Sequence, residues 1–156
     1  MTRPARLLML VSLPILAGAC SGYGQEGTVL EVPVPSEVAR GAELRLASRS
    51  GGEAPVLLLE GVELGADERI KIQIVAADGG DGAPVLAQAS TVGNGDGVYG
   101  PPVAKTTLVF PVNARGCEVI AGQAAVKLRL RIESSKDRPP LQFDRLRFAT
   151  DRRVSD

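Results

Sequence analysis

Few side chains in this sequence are suited to chemistry. Histidine is absent from all 156 residues. That removes the Ser-His-Asp and Cys-His arrangements, most metalloenzyme sites and any imidazole-based pH switch. Acidic residues cluster at Glu60, Glu63, Asp67 and Glu68. Hydrolysis by an acid pair needs two carboxylates about 5 to 10 Å apart in a groove, and nothing in the sequence marks a cleft there, so these read as exposed loop acids. The Asp-Gly stretches around Asp78, Asp81, Asn94 and Asp96 carry oxygen ligands suited to calcium. Neither stretch completes a known calcium spacing, and Asp-Gly pairs are ordinary turn formers. The glycine-rich clusters also lack the Gly-Lys-Ser/Thr ending of a phosphate-cradling loop. The expectation is a protein with no catalytic residue, no metal and no cofactor.

Binding is the chemistry left. Lys127, Arg129 and Arg131 alternate along one stretch, and Arg145 and Arg147 do so along another. A basic stripe of this kind suits lipid head groups, an anionic glycan or a protein partner. The plainer alternative is a solvated strand face whose long side chains blunt edge-to-edge aggregation. Eighteen basic residues cancel eighteen acidic ones, which argues against a nucleic-acid partner. Glycan modules also tend to present aromatic platforms, whereas this chain has no tryptophan and only Tyr23 and Tyr99.

The elements that must position these residues begin after an address. Arg3 and Arg6 precede an apolar run from Leu7 to Leu16, which ends in Ala17-Gly18-Ala19 before Cys20. A basic n-region, a short apolar core and small residues describe a cleaved secretory signal over residues 1–19. The run is shorter than the roughly 20 apolar residues that span a bilayer, and Pro14 interrupts it. Leu16-Ala17-Gly18-Ala19-Cys20 resembles the lipobox of bacterial lipoproteins, with alanine at position 17 where leucine is commoner in that family. The resemblance implies that Cys20 becomes the lipidated first residue. It also implies that Ser21 directs sorting to the outer membrane, with the body facing the periplasm or surface. Residues 20–27 then read as a glycine-rich flexible tether. Cleavage removes Arg3 and Arg6 and leaves the mature chain mildly acidic. With Cys20 acylated, Cys117 has no intramolecular partner. A buried apolar thiol, an intermolecular disulfide and a metal ligand remain open for it, and burial is favoured because no second soft ligand neighbours it.

Residues 28–149 read as strands. Val126, Leu128, Leu130 and Ile132 alternate with Lys127, Arg129, Arg131 and Glu133, as in a strand with one face on a core and one in water. Ile70, Ile72 and Ile74 repeat the pattern, as do 42–46 and 107–112. Val56 to Leu59 is continuously apolar, which suits a strand covered on both faces. Leu30, Val32 and Val34 suggest an opening strand that Pro33 and Pro35 confine to an edge. Residues 84–89 and 141–148 supply the rest, with a bulge expected near Asp144-Arg145. No window carries a sustained helical period, and 118–125 holds one turn of helix at most. Glycine and proline clusters separate the strands. The pattern predicts an all-β fold, a single antiparallel β-sandwich of about seven to eight strands, followed by a polar tail over 150–156.

Val56 to Val62, Arg69 to Ile74, Lys105 to Phe110, Val126 to Leu130 and Phe143 to Phe148 together resemble the β-sandwich that follows the copper domain in polyphenol oxidases and some bacterial tyrosinases. Lys71-Ile72-Gln73-Ile74 stands where that domain has Lys-Phe-Asp-Val, so the Phe and Asp are lost. The resemblance implies an accessory domain that covers or assists a copper site held elsewhere. Catalysis is not carried over, because the copper-binding histidines belong to the other domain. Three roles follow as expectations: a lipid-anchored envelope module that binds or scaffolds a protein, an accessory subunit of a separate copper oxidase, and an anionic-glycan module using Lys127, Arg129 and Arg131.

Overall fold

The computed structural model describes residues 22–24, 28–47, 53–64, 69–92, 105–135 and 141–151. The signal segment, Cys20, Ser21, the acids Asp67 and Glu68, the turn at 93–97 with Asn94 and Asp96, Tyr99, and the turn at 137–140 lie outside them. Nine strands and two α-helices follow in chain order among the described residues: β1 (Gly22–Gly24), β2 (Val29–Pro33), α1 (Ser36–Ala47), β3 (Ala54–Val62), β4 (Arg69–Ala76), β5 (Val85–Val92), β6 (Thr106–Pro111), α2 (Ala114–Ile120), β7 (Ala125–Ser134), β8 (Leu141–Phe143) and β9 (Arg145–Asp151). A 3-10 turn at Ala77–Gly82 joins β4 to β5.

The strands form two main antiparallel sheets, one ordered β2-β7-β4-β5 and the other β6-β3-β9, with β1 and β8 as a separate pair. The fold is therefore the sandwich expected from the alternation. Leu30, Ile72, Ile74, Leu128 and Leu130 of the first sheet and Leu57, Leu59, Phe110, Leu146 and Phe148 of the second share one buried core. A lone bridge between Ala87 and Val112 links β5 to the residue after β6 without closing a barrel. β2 lies at an edge, as Pro33 requires, since proline cannot donate to a ladder.

Five expectations need correction. Residues 42–46 are not a strand but the second half of α1, a twelve-residue helix. The alternation of Leu44 and Leu46 there is incidental, because both are exposed, at 50% and 43%. The spacing that governs this segment is Val38 and Ala42, buried four residues apart, in a stretch rich in Ala, Glu, Leu and Arg that favours helix. The second correction is α2, seven residues that start at Ala114 and end at Ile120, earlier and longer than the single turn expected at 118–125. Asn113 caps it, its side chain accepting from the Gly116 amide at 2.8 Å, which satisfies one of the orphan donors at a helix start. Thirdly, the phase change near Asp144 is more than a bulge. β8 pairs with β1 before it and β9 pairs with β3 after it, so the chain changes pairing partner at that residue. Gly22–Gly24, inside the segment expected as a tether, forms β1, and residues 150 and 151 of the expected tail extend β9.

The registers give the sandwich two distinct ends. Val62 pairs with Thr106, Glu60 with Arg145, Ile70 with Ser134 and Arg69 with Val92, which gathers one set of strand ends. Pro33 pairs with Ala125, Val75 with Val85 and Val56 with Pro111, which gathers the other. Both helices and the 3-10 turn connect to strands at this second end.

Candidate binding faces

Lys127, Arg129 and Arg131 lie along β7 on the outer face of the four-stranded sheet. Their apolar neighbours Val126, Leu128 and Leu130 turn inward and are buried. Of the three cations, Arg131 is engaged within the fold. Arg131 Nη2 donates to the Gly80 and Asp81 carbonyls at 3.1 Å each, clamping the 3-10 turn onto the sheet. Arg129 pairs in register with Val29 and Val75. Its Nε is buried without a hydrogen-bond partner among the described residues. Lys127 pairs in register with Glu31 and shares with it, Asp78 and Gln123 a depression of about 380 Å³. Farther along the same sheet, Lys71 Nζ meets Glu133 at 3.3 Å beside a shallower recess of about 370 Å³ that includes Arg69, Ser90 and Thr91. Alternating signs across neighbouring strands make this face mixed rather than cationic.

Arg145 and Arg147 belong to the other sheet. Both reach across from β9 to Glu60 on β3, where the strand pairing makes Glu60 the direct opposite of Arg145. Arg145 Nε and Nη2 approach Glu60 Oε2 at 2.8 and 2.7 Å. Arg147 Nε and Nη2 both lie 2.9 Å from Oε1. Each oxygen of one carboxylate thus takes both approaching nitrogens of one guanidinium, a charge-assisted pairing between partly exposed side chains. Hydrogen bonds from Arg147 and Arg145 hold the Glu60 carboxyl below its usual value of 4.5.

Beside this cluster the β3 backbone bulges, and its register with β6 shifts between Leu59 and Val62. Gly61 sits in the bulge at φ 72° with the Asp144 carboxylate packed over its Cα, so any side chain there would collide with it. The Asp144 amide donates to the Glu60 carbonyl at 2.8 Å, and its carboxylate takes Lys105 Nζ at 2.8 Å. That contact raises the Lys105 pKa. Sequence reading placed Arg145 and Arg147 in a basic face and missed Glu60 as their partner. The signal was a glutamate followed by glycine at the end of an otherwise apolar strand.

A pH dependence follows from Glu60. Its folded-state pKa is depressed, so the stabilisation it provides is present above its unfolded value and is lost as pH falls through the folded one. Glu60→Gln is expected to be less stable than wild type at neutral pH and to show a shallower loss of stability as pH drops below 4.5. Thermal denaturation followed across that range checks it, and parallel curves for the two proteins would contradict it.

Cys117 is fully buried in α2, which is the apolar-thiol reading. Burial pushes its pKa up, and the smaller pull of Arg45 only partly offsets this, so the reactive thiolate is disfavoured. Asp78 and Asp81, the described members of the calcium-like stretches, lie in the 3-10 turn. Among the described residues, no group of three or more His, Cys, Asp or Glu converges to hold a metal ion, and no helix is long and apolar enough to cross a membrane. The arrangement offers paired surface charges and shallow recesses, which suit contact with another surface.

No protein-family model matches this chain, and no curated protein does.

Proposed function

We propose that this protein is a non-catalytic, lipid-anchored lipoprotein of the bacterial cell envelope, held at the outer membrane, whose β-sandwich binds or scaffolds an envelope protein. The observation that carries this reading is Leu16-Ala17-Gly18-Ala19-Cys20, with its basic, apolar and small-residue stretches in lipobox order. Acyl chains inserted in a leaflet contribute about 0.8 kcal/mol per buried methylene, and two or more chains make anchoring stable. A sandwich with mixed-charge outer faces supports a role in contact rather than in turnover. The accessory role beside a copper oxidase has the five strand segments behind it and no further observation, so binding or scaffolding stands first.

Radiolabelled palmitate supplied to cells is expected to label the wild-type chain and not the Cys20→Ala variant, which should leave the membrane fraction. Label that persists after Cys20→Ala would contradict the anchor.

A further inference from the structure

If Cys20 carries the lipid, as proposed above, the anchor has almost no slack. Cys20 is two residues from Gly22, and a chain advances at most about 3.6 Å per residue. Gly22 is held in register opposite Phe143, and Asp144 follows directly. Chain length and strand spacing alone therefore keep the Cα of Cys20 within about 16 Å of that of Asp144. Asp144 and its neighbours Lys105, Glu60 and Arg145 all sit at the end of the sandwich opposite the helices.

We infer that the body is not free to tumble on a tether, and that the corner formed by Gln142, Asp144, Arg145 and Lys105 lies against the lipid head groups. The end carrying α1, α2 and the 3-10 turn then points away from the bilayer. The head-group layer on each side of a bilayer is about 5–8 Å thick, so a bound of about 16 Å, an upper limit reached only by a fully extended link, keeps this corner at the membrane surface while the opposite end of the sandwich stands farther out.

The chemistry of the corner fits a zwitterionic layer. Lys105 is matched by Asp144, and Arg145 and Arg147 by Glu60, while Glu63 adds to the negative field at Lys105. Lys105, Asp144 and Arg145 keep more than half of their side-chain surface exposed while paired, at 54%, 59% and 58%. Phosphate and ammonium groups therefore meet both signs within one patch, and the covalent anchor rather than net charge holds the patch in place.

The test uses the absence of tryptophan. Single reporters Gln142→Trp at the corner and Arg40→Trp on α1, both at exposed positions, are made in the full-length, acylated protein. Each is reconstituted in phosphatidylethanolamine vesicles containing a lipid with a nitroxide on its head group. The two positions are separated by roughly the length of β3, about 30 Å, so the nitroxide should quench Gln142→Trp about threefold or more beyond Arg40→Trp. Aqueous acrylamide should show the opposite order, and replacing part of the lipid with phosphatidylglycerol should change neither. Thr107→Trp, at the same end on β6, replaces Gln142→Trp if that variant does not fold. Equal quenching at both ends, or the reverse order, in protein whose mass shows acylation would overturn the orientation alone. A chain whose mass shows no acyl group would overturn the anchor and the orientation with it.

Discussion

Phe110→Ala is expected to lower the unfolding free energy by about 3–5 kcal/mol, the usual range for emptying a buried aromatic position. The chain has three phenylalanines and no tryptophan, and Phe110, Phe143 and Phe148 are all buried. Cys117 apart, the rest of the core is built from aliphatic side chains, so each ring fills space that no neighbour can match. Phe110 is fully buried and pairs in register with Leu57, itself fully buried. The position also lies two residues before Val112, whose bridge to Ala87 joins the two sheets. Collapse around the void would have to move both sheets, and for that reason the loss should fall well above a simple transfer cost. Equilibrium unfolding in urea measures it, and a loss below about 1.5 kcal/mol would mean that the core repacks more freely than close packing allows.

Gly116→Ala should also destabilise the protein, against the sign that helix propensity alone gives. Inside a helix, replacing glycine by alanine ordinarily gains about 1 kcal/mol. At Gly116 an added methyl would overlap Val112 Cγ1 and lie 2.8 Å from the Leu86 carbonyl oxygen. The valine methyl can turn aside, but the carbonyl is fixed, because it accepts the Asn113 amide at 2.9 Å. Overpacking against an immobile group costs about 1–3 kcal/mol, enough to cancel the propensity gain and reverse it. A stabilised Gly116→Ala protein in the same urea titration would show that α2 can lift off β5.

The β-sandwich was legible in the sequence because half-buried strands write their burial as an alternation with period two. β7, β4 and the edge position of β2 all follow from that signal and from proline chemistry. α1 was not legible as a helix. Its only strongly buried positions are Val38 and Ala42, too few to impose a helical period, whereas Leu44 and Leu46 mimic a strand by chance. The change of pairing at Asp144 could be seen only as a break in phase, because its cause is a contact with β3, more than eighty residues away in sequence. The basic face shows the same limit. Alternation correctly placed Lys127, Arg129 and Arg131 on one side of β7, yet the carbonyls that hold Arg131 come from a turn some fifty residues away, which no local pattern reveals.

The anchor at Cys20 is the claim that orders the rest, and intact-mass spectrometry of the mature chain extracted from envelope membranes tests it most directly. A chain that starts at Cys20 and carries a diacylglyceryl group on its sulfur is the result this account requires. A soluble chain with a free Cys20 thiol, or one that retains residues 1–19, would contradict it.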